Sequence, residues 1–199
     1  MNQQPNHIAA VVLAAGFSNR FGEENKLHTS LESGLSIIEQ VLQRVAEFPF
    51  AHRIVVCQAN DTAMKQLADR YGIELAVNEN AAQGIGSSIA TGIGSLDRTQ
   101  FFGAAIFLGD MPFIDSETIS MVVKEFTRQQ STQITRPSCS DQAGHPVIFP
   151  SHLFDELREL NGDTGANHLI RQHENLLSLV KTDDAGVLQD IDTASDLPT

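Results

Sequence analysis

The sequence predicts an α/β fold: a single domain over residues 1–199, built as a three-layer, doubly wound and mostly parallel sheet. Short apolar runs alternate with segments whose apolar residues recur every three or four positions, which is typical of βαβ units. The chain has 199 residues, 41% of them hydrophobic and 19% charged, as is ordinary for a globular domain. No repeat, low-complexity tract or convincing linker divides it. These observations favour one domain with one continuous sheet.

The elements follow from these runs in chain order. The clearest strand candidates are the apolar runs Ile8–Leu13, Arg53–Cys57, Glu74–Val77 and Ala104–Leu108, with weaker ones at Gln133–Thr135, Pro146–Phe149 and Leu176–Val180. Helical periodicity marks Ser36–Phe48, Asp61–Tyr71, Ile85–Leu96 and Ser116–Gln129, and two shorter segments at 150–157 and 165–170. Ser36, Asp61 and Ser116 are the expected N-caps. The polar, turn-rich stretch 131–144 is expected to be a long loop or an edge element.

Charge and cysteine content exclude several classes of protein. A net charge of −12 and a pI near 4.8 argue against a nucleic-acid or anionic-membrane partner, although local cations and a divalent metal would still permit a small nucleotide. Cys57 and Cys139 are too few for a disulfide framework or a structural zinc site, and a buried thiol is the expectation for Cys57. Residues 1–7 lack the pattern of a signal peptide, and no apolar run reaches the length of a membrane span. We therefore expect a cytoplasmic protein.

The most informative segment follows the first strand candidate, where an apolar run gives way to a loop with two glycines, Gly16 and Gly22, and two cations, Arg20 and Lys26. Unhindered backbone N–H groups at the end of a strand suit a phosphate or a base edge. Neither common phosphate fingerprint is present, because Glu23 stands where a P-loop needs lysine and there is no G-x-G-x-x-G. A glycine-rich connection without a ligand is the competing interpretation.

Carboxylates at two later positions suggest a metal. Asp110 follows the fourth strand candidate within Leu108-Gly-Asp-Met-Pro112, where a carboxylate suits a hard cation such as Mg²⁺. Asp190 and Asp192 lie on one face of an extended segment near the C-terminus, and either is a candidate to approach the same metal. A turn aspartate and a helix N-cap are the competing structural roles for these positions.

The ordered set of motifs resembles the molybdenum-cofactor nucleotidyltransferases, especially the cytidylyltransferase branch, over nearly the whole chain. The first loop is similar to the family's Leu-Ala-Ala-Gly-x-Ser-x-Arg-(Met/Phe)-Gly…Lys signature, and Leu108–Pro112 to its metal-binding Leu-Gly-Asp-x-Pro. The remaining similar segments are Asn78–Gly92, Arg136-Pro137, Gly144–Val147, Gly162–Ala166 and Asp190–Leu197. The resemblance implies a Rossmann-like fold of the nucleotide-diphospho-sugar transferase type.

The resemblance also implies a reaction: the terminal phosphate of molybdopterin attacks the α-phosphate of CTP and releases pyrophosphate, with Mg²⁺ as the cofactor. It implies catalytic roles for Arg20, Lys26, Asp110 and His145, and metal ligation by Asp110 and Asp192. The nucleotide-binding residues it implies are Leu13, Ala14, Ala15, Gly16, Ser18, Lys26, Asn80, Gly84, Ser87, Ser88 and Asp110. The acceptor-side residues are Arg136, His145, Asp163 and Gly165.

Several points stay open at the level of sequence. In the family, Ala14-Ala15 goes with cytosine and a glycine in that pair with guanine, so a guanylyltransferase is the first competing function. Asp163 is equally well interpreted as an N-cap for a helix beginning near Thr164, and His145 as a surface turn residue. Transfer to a different phosphorylated acceptor and a non-catalytic carrier of the cofactor are also compatible with the motifs. A molybdoenzyme or its chaperone is an expected transient partner.

Overall fold

The structure is a computed structural model that describes residues 7–16, 26–163, 165–193 and 196. Strands and helices alternate along most of the chain. The strands are β1 (Ile8–Leu13), β2 (His52–Cys57), β3 (Glu74–Val77), β4 (Gly103–Leu108), β5 (Ile134–Cys139), β6 (Gln142–Ala143), β7 (Val147–Pro150) and β8 (Leu177–Lys181). The helices are α1 (Ile37–Glu47), α2 (Thr62–Tyr71), α3 (Ile85–Gly94), α4 (Ser116–Arg128), α5 (Phe154–Arg158) and α6 (Asn167–Gln172).

All eight strands form one sheet in the order β3-β2-β1-β4-β7-β5-β6, with β8 paired to β5. The pairs among β3, β2, β1 and β4 are parallel, as is β5 with β8, whereas β7 and β6 run antiparallel to their neighbours. Leu13 is in register with Val56 on one side and with Leu108 on the other. The carboxyl ends of the parallel strands therefore meet at one edge, where ligands bind in open α/β sheets.

Helices cover both faces of the sheet and create the three predicted layers. Alternate residues of β1 supply the two cores, with Ala10 and Val12 facing one and Val11 and Leu13 facing the other. The first core includes residues of α1, α2 and α4, and the second includes residues of α3, α5 and α6. A strand buried on both faces has no polar alternation, which explains the continuous apolar run that the sequence displays there.

The caps of the first two helices are confirmed, since Ser36 Oγ accepts from Glu39 N at 3.3 Å and Asp61 Oδ1 from Met64 N at 2.9 Å. The cap predicted at Ser116 was wrong. Asp115 precedes α4 with extended dihedrals, and its carbonyl accepts the first helical hydrogen bond from Ile119 N at 3.1 Å. Ser116 is therefore the first residue inside the helix.

The stretch 131–144 contains a strand that the sequence suggested only in part. β5 continues past the predicted Gln133–Thr135 to Cys139, and a tight turn at Ser140 and Asp141 leads into β6. The polar side chains of Thr135 and Ser138 are buried in this strand, which is why hydropathy did not reveal it. The segment is a hairpin whose strand β5 is paired with β7 and β6 on one side and with β8 on the other, and β5 carries Arg136 toward the functional site.

Both cysteines are free and buried, as expected for Cys57. Burial, with a smaller contribution from the charge of Asp61, raises the pKa of the Cys57 thiol to about 11. Within the described part of the chain, no helix combines the length and apolar character needed to cross a bilayer.

Candidate active site

The first loop leaves β1 between the ends of β2 and β4. Ala14 N donates to the carbonyl of Val56 at 2.8 Å, which extends the sheet contact by one residue. The Gln58 side-chain amide then donates to the carbonyls of Ala15 and Gly16 at 3.2 and 3.3 Å. Gln58 thus fixes the peptide groups at the base of the loop. The predicted residues Ser18 and Arg20 lie outside the described residues.

Asn78 organises the second loop, and sequence reasoning assigned it no role. It follows β3 and is 3% exposed. Its side-chain oxygen Oδ1 accepts from Asn80 N at 2.9 Å, and its side-chain Nδ2 donates to the hydroxyls of Ser87 and Ser88 at 2.9 and 3.0 Å. One side chain therefore ties the loop after β3 to the first turns of α3. The available signal was a polar residue directly after a strand that was predicted from the sequence.

Two glycines allow a second turn of chain to lie against the start of α3. Gly84 has φ +97°, and a Cβ there would lie 2.6 Å from the carbonyl oxygen of Gly162 and would collide with Asp163 Oδ1. A Cβ on Gly86 would lie 2.7 Å from the Asn161 carbonyl, and Gly86 N donates to Gly162 O at 2.9 Å. These contacts place Asp163 beside the second loop.

A cavity of about 460 Å³ opens between the two loops and the end of β4. Six of the residues predicted to bind nucleotide line it: Leu13, Ala15, Gly16, Gly84, Ser88 and Asp110. Its other lining residues are Ala81, Ala82, Ile85, Leu108 and Asp163. We refer to it as the loop cavity.

Four other predicted nucleotide residues that the structure describes do not line the loop cavity: Ala14, Lys26, Asn80 and Ser87. Ala14 packs into the core on the opposite face of the sheet from Ala15. Ser87 is buried, and its hydroxyl lies 2.8 and 3.0 Å from the carbonyls of Gly84 and Asn80. Asn80 is exposed, and its side-chain oxygen accepts from Gln83 at 3.3 Å. In this structure Ser87 and Asn80 stabilise the second loop through hydrogen bonds within it.

Lys26, Asp110 and Asp192 form one cluster, which adjoins this cavity through Asp110. Lys26 Nζ lies 2.9 Å from Asp110 Oδ2 and 2.9 Å from Asp192 Oδ1. Burial by itself lowers the pKa of the Lys26 ammonium, but the charges and hydrogen bonds of the two carboxylates outweigh it and raise that pKa above its ordinary value. The lysine is therefore a cation at neutral pH. No pattern in the sequence indicated that it would bridge the two predicted metal ligands.

Backbone contacts bring the two carboxylates together from distant parts of the chain. Ile191 N donates to the carbonyl of Asp110 at 3.0 Å and fixes the C-terminal segment against the end of β4. The Asp196 carboxylate accepts from the backbone N–H groups of Asp192 and Thr193 at 3.0 and 2.7 Å. Hydrogen bonds from the Thr193 side chain and backbone lower the pKa of Asp196. Asp190 lines a separate depression with Phe113 and Leu188.

The donor set at this cluster fits a magnesium ion. Two carboxylate oxygens converge on one cation, although it is an ammonium here. Among the described residues no group of three or more His, Cys, Asp or Glu side chains is placed to hold a metal. Mg²⁺ is commonly bound through one or two carboxylates, with waters and substrate phosphates completing the octahedron. Asp110 and Asp192 would hold it.

A second cavity, of about 210 Å³, adjoins the loop cavity and shares four lining residues with it: Leu13, Ile85, Leu108 and Asp163. All four predicted acceptor residues, Arg136, His145, Asp163 and Gly165, line it. Its remaining walls are largely apolar, formed by Ile89, Ile106, Val147, Phe149, Ala166, Asn167 and Ile170. We refer to it as the apolar cavity.

Arg136 and His145 supply polar groups to the apolar cavity. The Arg136 guanidinium donates to the carbonyls of Gly144 and Ala143, both at 3.0 Å, and burial lowers its pKa. Burial also lowers the pKa of His145 to about 4, helped by the nearby Arg136 charge. The buried Nδ1 of His145 has no hydrogen-bond partner among the described residues. The lowered pKa leaves the His145 imidazole neutral at pH 7.

The interpretation of Asp163 as a helix N-cap was wrong. α6 begins at Asn167 after Ala166, so Asp163 lies four residues before its first turn. Its carboxylate lies instead on the wall that the two cavities share. Gly165 has φ +53°, and a Cβ built there would lie 3.0 Å from Cγ2 of Ile85.

The family model of the MobA-like NTP transferase domain matches residues 10–176, which include most of β1, both loops and the end of β4. This chain belongs to that family. As a MobA-like NTP transferase it is a nucleotidyltransferase by family. Every residue that lines the loop cavity falls within the matched segment.

Related proteins are similar to this chain over most of their length. The purine catabolism protein PucB of Bacillus subtilis (strain 168) is 26% identical over 195 residues, covering 94% of this chain and 92% of PucB. The Rv0371c homologue from Mycobacterium sp. strain JC1 is 26% identical with a TM-score of 0.81, covering 97% of this chain and 94% of that one. The manganese complex of Mycobacterium tuberculosis Rv0371c shares the fold at 23% identity, with a TM-score of 0.77 and 95% of each chain covered.

Proposed function

We propose that this MobA-like NTP transferase is a Mg²⁺-dependent cytidylyltransferase that moves CMP from CTP to the terminal phosphate of molybdenum–molybdopterin. The observation that carries the proposal is the junction of two adjoining cavities. One is formed by the two glycine-containing loops, and the other is apolar with a few polar groups. Asp110 lies at the first cavity and Asp163 on their shared wall. Two substrates bound side by side would bring their phosphates together there.

The chemistry needs positioning and neutralisation of charge more than covalent help. An oxygen of the acceptor phosphate forms a bond to the α-phosphorus of CTP, and the bond from that phosphorus to the bridging oxygen breaks. Pyrophosphate leaves with the electron pair. The acceptor phosphate is already ionised near neutral pH, so the step needs no general base. The bound metal supplies positive charge to the phosphate oxygens.

The chain's own groups have separate tasks in this proposal. Backbone amides at the base of the first loop, held by Gln58, would bind the nucleotide together with Ser18. Arg20 and Lys26 would neutralise the triphosphate. Asp110 and Asp192 would hold the metal, with Asp196 fixing the turn that carries Asp192.

Base choice is assigned to Ala15. Of the alanine pair that favours cytosine, only Ala15 lines the loop cavity, because Ala14 faces the opposite core. The Ala15 methyl would narrow the space for a base, and the Ser88 hydroxyl, which accepts from Asn78, would offer its proton to a pyrimidine carbonyl. Ala15→Gly is expected to raise the rate with GTP relative to CTP, whereas the matched Ala14→Gly variant is expected to leave the ratio unchanged.

Acceptor binding is assigned to the apolar cavity. Its walls suit a flat, largely apolar ring system, and the neutral imidazole of His145 lies on the wall that such a ring would contact. A neutral His145 fits this role better than that of a cation for phosphate. Arg136 and Asp163 would contact the polar edge of the acceptor.

The test is pyrophosphate release with CTP or GTP, with and without molybdenum–molybdopterin, and with a panel of sugar and alcohol phosphates. Asp110→Asn and Asp192→Asn are expected to lower turnover by roughly 10²–10³-fold, because each removes a preorganised charge. The matched control is Asp190→Asn, since Asp190 lies outside the cluster. If the Asp110→Asn variant still supported the full activity of a molybdoenzyme, the protein would be a carrier of the cofactor rather than an enzyme. Turnover with a sugar phosphate but not with molybdopterin would overturn the acceptor assignment.

A further inference from the structure

Lys26 occupies the point on which the two metal-ligand candidates converge. Its ammonium lies 2.9 Å from an oxygen of each carboxylate, and the lysine side chain is only 14% exposed. A divalent ion held by both carboxylates needs that same position between the two oxygens. An ammonium and a metal ion at one point repel each other, so both cannot remain there.

We propose that Lys26 is an internal cation that competes with the metal for Asp110 and Asp192 and is released from them toward the phosphates of the nucleotide. This rests on the proposed function, in which a nucleoside triphosphate binds beside the cluster. Without metal, the lysine offsets the repulsion between the two carboxylates. With metal and nucleotide, the ammonium gains the charge of the triphosphate and yields its position.

The local structure permits this exchange by side-chain rotation alone. Leu27, the next residue, is 4% exposed and anchors the backbone in the core. The backbone at both aspartates is held by contacts that do not involve the lysine: Ile191 N donates to the Asp110 carbonyl, and the Asp196 carboxylate accepts from Asp192 N. The flexible lysine stem is therefore the component that moves.

The consequence is that binding of the metal and binding of the nucleotide are thermodynamically coupled through Lys26, in addition to any direct bond between the metal and the phosphates. In the absence of nucleotide the metal must displace Lys26, so it binds weakly. Nucleotide removes the competitor, and by reciprocity the metal strengthens nucleotide binding by the same factor.

The first experiment measures Mn²⁺ binding by electron paramagnetic resonance, with and without CTP, in the wild type and in Lys26→Met. Without nucleotide, Lys26→Met is expected to bind Mn²⁺ at least about 5-fold more tightly, and its coupling to CTP is expected to be smaller. The control is Lys181→Met, which removes the same charge from a side chain that is 89% exposed and paired with Asp141 at 3.9 Å. Unchanged or weaker Mn²⁺ binding by Lys26→Met would overturn the proposal.

The second experiment uses the wild-type protein and reports displacement directly. Acetic anhydride labelling with mass spectrometry is expected to show a protected Lys26 without ligands, increased labelling with Mg²⁺ alone, and renewed protection with Mg²⁺ and CTP. Labelling that Mg²⁺ leaves unchanged would overturn the competition. An inactive protein that still shows the Mg²⁺-dependent increase would refute the proposed reaction but keep the competition, so the two failures are distinguishable.

Discussion

Gly92 is the position where a single methyl group is expected to disturb the contact between α3 and the sheet. A Cβ built there would collide with Val11 Cγ1 and lie 3.0 Å from Val56 Cγ2. Both valines are fully buried in central strands and are stiff about χ1, so neither can move aside cheaply. Gly94, two residues later in the same helix, is exposed, and its added Cβ would meet nothing within 4 Å.

The two positions predict effects of opposite sign. Overpacking costs about 1–3 kcal/mol, and the stiff neighbours place Gly92→Ala in the upper part of that range. The higher helix propensity of alanine offsets up to about 1 kcal/mol of this cost, so the free energy of unfolding is expected to fall by about 1–2 kcal/mol. Gly94→Ala has the higher helix propensity without a steric clash, and it is expected to stabilise the protein by about 0.5–1 kcal/mol.

The assay is urea and thermal unfolding of both variants against the wild type. A difference of about 2 kcal/mol between the variants corresponds to about 4–8 °C in Tm for a chain of this size. Since α3 also carries Ser88 in the wall of the loop cavity, Gly92→Ala should weaken CTP binding while Gly94→Ala should not. Equal stability of the two variants, or a more stable Gly92→Ala, would refute the packing argument.

Three further predictions concern polar groups around the two cavities. Asn78→Ala should cost about 2–4 kcal/mol in urea unfolding, because it removes three hydrogen bonds of a buried side chain, and it should also raise the Kd for CTP. Gln58→Met should weaken CTP binding about 3- to 10-fold by isothermal titration, because the first-loop carbonyls lose their donor, with little change in Tm. The pKa of His145 in the folded protein is about 4, below the pKa of a histidine in the unfolded chain. As the pH falls toward 4, the unfolded state therefore takes up the proton first, and the protein loses stability that it has in full above the unfolded-state pKa. The wild type should therefore lose about 3 kcal/mol more than His145→Gln between pH 7 and pH 4, and parallel curves would contradict this.

Local sequence patterns determined the part of the fold that depends on local forces. β1 and β3 were predicted to the residue, and for β1 the reason is that a strand buried on both faces must be a continuous apolar run. Ser36 and Asp61 were recognised as caps because capping is a contact within four residues. The full extent of β5 and the N-cap of α4 were not predicted. Burial of Thr135 and Ser138 depends on neighbouring strands, and the choice between Asp115 and Ser116 as the cap depends on backbone dihedrals.

The sequence by itself determined which chemical groups are available: loops with small residues after parallel strands, and aspartates at strand ends that converge on one edge. Only the tertiary structure decided how they meet. Lys26 and Asp192 are 166 positions apart and nevertheless form one ion pair. Asp163 lies on a wall between two cavities rather than at the start of a helix. Such contacts depend on the register of a sheet and on turns packed across it, and neither periodicity nor spacing in the chain encodes the distance between groups that different strands carry.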